Sequence, residues 1–386
     1  MSFAASVTGG LGLFGTNNLG SITATSGADM DIRNGAAPLQ VRNLQAGGAS
    51  GIALTASGAV SQAAGAALQA SQVSLTGGSL GSGAAPIEVQ TPGVRFNATA
   101  GDAYVRNNQS SELMGMQATG TASYASSADV QVGGNVSAAN VLINTSNALD
   151  IGSASNAVQV FANSSIDLQG SNITIKGGTS AGASAKVTTL GSLRVNTAGN
   201  FVMRGGSQSN TFAEVFAAGP VTVTAASSVL VVGGSGVGAY ARLDPVSGSL
   251  LTINSSAVDV QGGSGAGAYG AIVSDGDIVI NATSLSLAAG AGLDADAVVI
   301  SQFGRISAPN SCNGCLDLSS MPLGNGSTGT GLYSGSRIFA QSNNTSILTS
   351  QLLQIEALIE ALISEPEREK DEREQPSIVV EGQICP

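Results

Sequence analysis

The chain has no histidine, no tryptophan, only 14 lysine and arginine residues and three cysteines among its 386 residues. Each scarcity removes a class of function. Without histidine there is no imidazole base, no Ser-His or Cys-His nucleophile pair, and no zinc site of the usual nitrogen-and-sulfur kind. Fourteen basic against 25 acidic residues give a net charge of −11. No basic stripe is present to follow a phosphate backbone or an anionic membrane, so nucleic acid is not an expected partner. No segment approaches the ~18 uninterrupted apolar residues of a transmembrane helix. The first twenty residues, MSFAASVTGGLGLFGTNNLG, lack the basic start and apolar run of a signal peptide. Two readings follow: a cytosolic protein, or a fragment whose export signal lies upstream. A start in the middle of a repeated texture favours the fragment. Charged residues are only 10% of the chain, so hydroxyl and amide side chains must supply its polar faces.

Glycine is abundant, with 53 residues, and it recurs with a period. The stretches ITIKGG from Ile173, FVMRGG from Phe201, VLVVGG from Val229 and VDVQGG from Val258 superimpose, and a degenerate copy, LSLAAG, starts at Leu285. A fixed spacing of about 28 residues marks an array in which each repeat buries its apolar face only against the next. Ten residues after the first glycine of each pair come Val187, Val215, Leu243 and Ile272, and the degenerate copy gives Val299. Leu193 and Val195, Val221 and Val223, and Ile278 and Ile280 form a third set, with Leu251 and Ile253 displaced by an insertion near Pro245 and Gly248. Each period thus holds three short apolar/polar alternations, the signal of strands with one face buried. Three strands per turn, stacked in columns, predict an all-β right-handed parallel β-helix of about 28 residues per rung.

The N-terminal half has the same texture in looser register: LQVRNLQAGG from Leu39, VSLTGG from Val73, VQVGG from Val130 and LDIG from Leu149. If one rung length holds over residues 20–310, the body has roughly ten rungs and, at about 4.8 Å each, forms a rod of order 50 Å. The expected organisation is a β-helix rod over 1–340, best phased over 170–305, followed by an appendage over 341–386.

That appendage opens on Thr345 or Ser346 as a helix cap. Leu348, Leu352, Ile355, Ile359 and Leu362 then recur at helical spacing, widened by Ile347, Leu353, Leu358 and Ile363, and predict an amphipathic helix of roughly 18 residues. Pro366 ends it, and the run Glu367–Glu374 is charged throughout, which reads as a solvated face. The apolar stripe has three destinations: capping the open end of the β-helix, self-association as a short coiled coil, or docking into a membrane partner. Cys312 and Cys315 form an isolated CxxC, and Cys385 lies next to the C-terminus. Too few ligands accompany them for structural zinc, and the turn-like flanks do not suit a thioredoxin-like motif. A disulfide, either Cys312–Cys315 or one of these with Cys385, fits better. All three are expected to lie outside the β-helix body.

Polysaccharide-cleaving β-helices need clustered carboxylates. Here Asp and Glu are few and do not recur at one place in adjacent repeats, while Asp275, Asp277, Asp294 and Asp296 fall at expected turns, where aspartate is common. GGSGVGAY and GGSGAGAY lack the aspartate of calcium-binding nonapeptides. No catalytic residue, metal site or cofactor is implied, and the chain is not expected to be an enzyme. Asn97, Asn144, Asn172, Asn281 and Asn344 stand in N-x-S/T triplets, most of which chance produces in such a composition, and glycosylation at them is left open. Val202, Leu230 and Val232 are apolar at outward strand positions and are candidate rod–rod contacts.

Short V-x-V/I strands with GG, N-x-S and A-G-A turns resemble the filamentous-haemagglutinin-like exoproteins of bacterial two-partner secretion, of which this chain would be a C-terminal portion. The resemblance covers the body in texture. It implies export through an outer-membrane transporter, folding at the cell surface, and a rod serving adhesion or filament and biofilm assembly. Expected partners are neighbouring rods and host or matrix glycans or proteins, with the C-terminal helix and cysteine-containing tail anchoring the rod. Two alternatives remain open: a polysaccharide-degrading or phage tail-spike-like β-helix, and a subunit of a self-assembling surface array.

Overall fold

The structure, a computed structural model, describes residues 1–301 and 303–308, together with the backbone of short strands at Cys312–Asn313, Leu316–Asp317 and Arg337–Gln341. The described residues are all-β. Strand after strand pairs in parallel with one a full repeat earlier, and side chains alternate between a buried and a partly exposed face. The alternation read from the sequence is therefore the alternation seen. In the strand Gln72–Gly77, Val73, Leu75 and Gly77 are buried while Gln72 and Ser74 face outward. The buried set forms one continuous apolar core from Leu19 to Ile306.

From residue 173 onward the columns are those expected. Ile173 lies opposite Phe201, Phe201 opposite Val229, Val229 opposite Val258 and Val258 opposite Leu285. A second column stacks Val187, Val215, Leu243, Ile272 and Val299. A third stacks Leu193, Val221, Leu251, Ile278 and Ile306.

The N-terminal half differs. Ser2 lies opposite Ser21 and Ser21 opposite Gln40, a repeat of 19 residues rather than 28. Here most repeats contribute two principal strands. Strand Leu39–Ala46 divides briefly, Leu39–Val41 continuing onto Val60–Gln62 and Leu44 and Gln45 onto Leu68 and Gln69, and the branches rejoin at Ala103–Asn107. The lasting third strand arises further along. Strand Gly93–Ala98 pairs with Ser111–Ala118 across a register shift, Val94 opposite Leu113 but Arg95 opposite Gly115. Beyond that bulge the strand divides its partners: Ser111–Leu113 continues onto Val130–Val132, whereas Met116 and Gln117 continue onto Val136 and Ser137. The second branch becomes the column through Val160 and Val187. An inserted residue that bends one strand of a pair therefore seeds a new face.

Corners are held by short polar side chains. Thr197 Oγ1 donates to the carbonyl of Ser171, 2.7 Å away on the previous repeat, and accepts from the Gly199 N–H at 3.2 Å. Ser126 and Thr145, opposite one another, play the same part for Ala128 and Asn147. Carboxylates do likewise: Asp102 accepts from the Thr121 N–H at 2.6 Å and Asp277 from the Arg305 N–H at 2.8 Å. These bonds satisfy backbone donors that the ladders leave at each bend.

Cys312 is a correction. It does not lie outside the stacked body: Cys312–Asn313 pairs in parallel with Leu285–Ser286, so Cys312 is the next member of the Ile173 column. The ladder through Ala297–Ser301 continues differently, onto the antiparallel strand Arg337–Gln341, which pairs in turn with Leu316–Asp317. Cys315, Cys385 and the helix positions Leu348, Leu352, Ile355, Ile359 and Leu362 lie outside the described residues.

Candidate functional site

The GG signature opens an eight-residue loop present five times: 177–184, 205–212, 233–240, 262–269 and 289–296. In each loop the N–H of the second residue bonds to the carbonyl of the seventh, as Gly234 does to Ala239 at 2.5 Å and Gly263 to Ala268 at 2.6 Å. The loops also bond to one another, Ser235 N–H to Gly206 O at 3.0 Å and Ser264 N–H to Gly234 O at 3.0 Å. The sixth position is left-handed wherever it is stacked: Gly182, Asn210, Gly238, Gly267 and Asp294 all have φ between 55° and 76°. The eighth carries an aromatic ladder. Phe212 stacks on Tyr240 with ring centroids 4.7 Å apart, and Tyr240 on Tyr269 at 4.9 Å, the planes within 2° of parallel.

Beside the ladder runs a charged column. Lys186 lies opposite Glu214 and Glu214 opposite Arg242. Glu214 joins Lys186 and Arg242, each at 3.4 Å, and Arg242 also holds Asp244 at 2.8 Å. Lys186 Nζ sits 5.1 Å over the Phe212 ring, and the Tyr240 hydroxyl donates to Glu214 at 3.5 Å. Arg242, Glu214 and Asp244 are buried although they point away from the core. Burial works against the Arg242 charge, but Asp244 and Glu214 outweigh it and hold the guanidinium more firmly protonated than usual. Burial pushes the Asp244 carboxyl up to about 6; Arg242 opposes this, while Glu214 and Asp275 add to it. One guanidinium cannot fully neutralise carboxylates crowded on it in a dry site.

A groove of about 430 Å³ lies on another face, bordered by Pro92, Glu112, Asp129, Gln131 and Asp150. Glu112, Gln131 and Asp150 are stacked outward positions on successive repeats, so two carboxylates share this column with Gln131 between them. Of the three carboxylates bordering the groove, Asp129 accepts from the Ala148 N–H at 3.1 Å and Asp150 pairs with Lys176 at 3.2 Å. Glu112 is exposed. Among the described residues no group of His, Cys, Asp and Glu could hold a metal ion.

The remaining candidates are placed as follows. Val202 lies opposite Leu230 on one outward column, and Val232 follows on the neighbouring one; all three are half-buried. Asp275 accepts from the Ser247 N–H at 2.6 Å, and Asp294 holds the left-handed loop position. Neither the aromatic ladder nor the charged column was anticipated. The signal was present, since Phe212, Tyr240 and Tyr269 keep the repeat spacing, as do Lys186, Glu214 and Arg242. Among the described residues no helix is long and apolar enough to cross a membrane. Comparison of the chain with protein-family models, with curated proteins and with solved structures finds no match.

Proposed function

We propose that the chain is a non-catalytic surface rod: a right-handed parallel β-helix of bacterial origin, acting in adhesion or in filament and biofilm assembly. Right-handedness follows from the strong preference of parallel crossovers for that hand. The observation that supports a structural role best is how the polar side chains are used. Asp102, Asp129, Asp275 and Asp277 serve backbone N–H groups at corners, and Lys186, Glu214 and Arg242 bind one another across repeats. A stack built this way spends its polar groups on cohesion and resists unfolding along its length. In this reading the chain resembles the filamentous-haemagglutinin-like exoproteins, reaches the surface through an outer-membrane transporter, and is capped or anchored by its C-terminal helix and tail. Half-buried Val202, Leu230 and Val232 are the candidate contacts between rods. Electron micrographs of the purified protein test the reading: unbranched rods or filaments support it, and globular particles overturn it. Regular lattices would favour the surface-array alternative.

A second reading, polysaccharide cleavage, has one observation in its favour, the groove bordered by Glu112, Asp129 and Asp150. Release of reducing ends from a polysaccharide, abolished by Glu112→Gln, would establish it.

A further inference from the structure

A second groove, of about 360 Å³, lies where the bulge opens the third face. Its rim comes from outward positions on three successive repeats. Thr76 lies opposite Asn97 and Asn97 opposite Gln117, while Arg95 lies opposite Gly115 beside Met114. Asn135, from the corner that follows, completes it. The concavity follows from the fold: the strand that divides there turns its second half onto a new face, and the surface between the branches is drawn in.

The chemistry of the rim is specific. Arg95 is exposed and makes no ion pair among the described residues, its guanidinium giving only a 3.5 Å bond to the Met114 carbonyl. Among the described residues it is the one cation lining either of the two grooves, in a chain of net charge −11. Around it converge three side-chain amides, those of Asn97, Gln117 and Asn135, the hydroxyls of Ser74 and Thr76, and the half-buried Met114. The oxygen of Asn135 is occupied by the Gln159 N–H at 3.0 Å, which leaves its amide N–H groups to donate. A planar fork for a carboxylate, flanked by groups that exchange hydrogen bonds with hydroxyls and by a thioether against which a ring's C–H face can lie, describes a carboxylated sugar.

We propose that this groove binds a hexuronic acid unit, Arg95 pairing its carboxylate while Thr76, Asn97, Gln117 and Asn135 bond its hydroxyls. The proposal deepens the adhesive reading, on which it rests, by naming the class of glycan. Titration of the full chain with a trigalacturonate probe, beside neutral maltotriose and sodium acetate, tests it. The expected result is saturable binding of the uronate at least tenfold tighter than either control. Arg95→Gln lowers that affinity tenfold or more, and Asn97→Ala lowers it less, with thermal melting unchanged. Arg204→Gln, at an outward position elsewhere, leaves it intact. No uronate binding, equal binding by Arg95→Gln, or acetate as tight as the sugar acid would each overturn the proposal. Rods seen in micrographs together with absent uronate binding would remove this inference and leave the rod standing.

Discussion

A methyl group added to Gly234 would meet the Gly206 carbonyl oxygen at 2.0 Å, and that oxygen belongs to the loop stacked beneath. Backbone cannot step aside there without breaking the bond from Ser235 to the same carbonyl. Gly234→Ala is therefore expected to cost about 3 kcal/mol, as overpacking a dense interior does. Gly267 has the opposite constraint: its φ is 65°, but its nearest non-neighbouring atoms are 3.9 Å away or more. Asn210 and Asp294 already occupy that left-handed position in sister loops. Gly267→Asn should cost under about 1 kcal/mol, because asparagine tolerates this conformation. Urea unfolding of the two variants beside the parent measures both, and equal losses would show that the loops are not stacked as described. In the core, Phe201 is fully buried between Ile173 and Val229, so Phe201→Ala should lose about 3–5 kcal/mol in the same assay.

The element that sets the C-terminal half apart is the face carrying Glu214, Arg242 and Asp244. Its pH response follows from Asp244. A folded-state value of about 6 against the usual 3.8 means that the folded chain holds this proton more tightly than the unfolded chain does. Its contribution is then greatest below pH 4 and is lost as pH rises from about 4 to 6, by on the order of 3 kcal/mol. Asp244→Asn should flatten that fall, measured by denaturant midpoints from pH 4 to 7.5; parallel profiles for the two proteins would refute it. Removing the cation instead strands the carboxylates, and Arg242→Met should destabilise by about 3 kcal/mol at neutral pH. Much of this half was legible in sequence because the repeat length barely changes: Ile173, Phe201, Val229, Val258 and Leu285 align by counting, and the same count from Leu285 reaches Cys312. Its polar columns were missed because they repeat by complementarity: lysine, glutamate and arginine share a column as partners, and a search for identical residues passes over them. The N-terminal half resisted phasing because its repeats are shorter and uneven. The branch at Gly115 also changes the number of strands partway along, and so the Glu112–Gln131–Asp150 column could not be seen.

Over residues 1–308 one principle unites these parts. Parallel ladders carry a single apolar column set past a change in strand number, and the polar surface is tied together between repeats. Such a stack is stabilised mainly by neighbour-to-neighbour terms. The account stands or falls on the registers, which an experimental density map of the full chain reads directly. The account predicts parallel strands throughout residues 2–301, with Ser2 over Ser21 in a 19-residue repeat, Ile173 over Phe201 in a 28-residue one, and the added strand beginning at Met116. Antiparallel pairing within that span, or one constant repeat length from end to end, would contradict it.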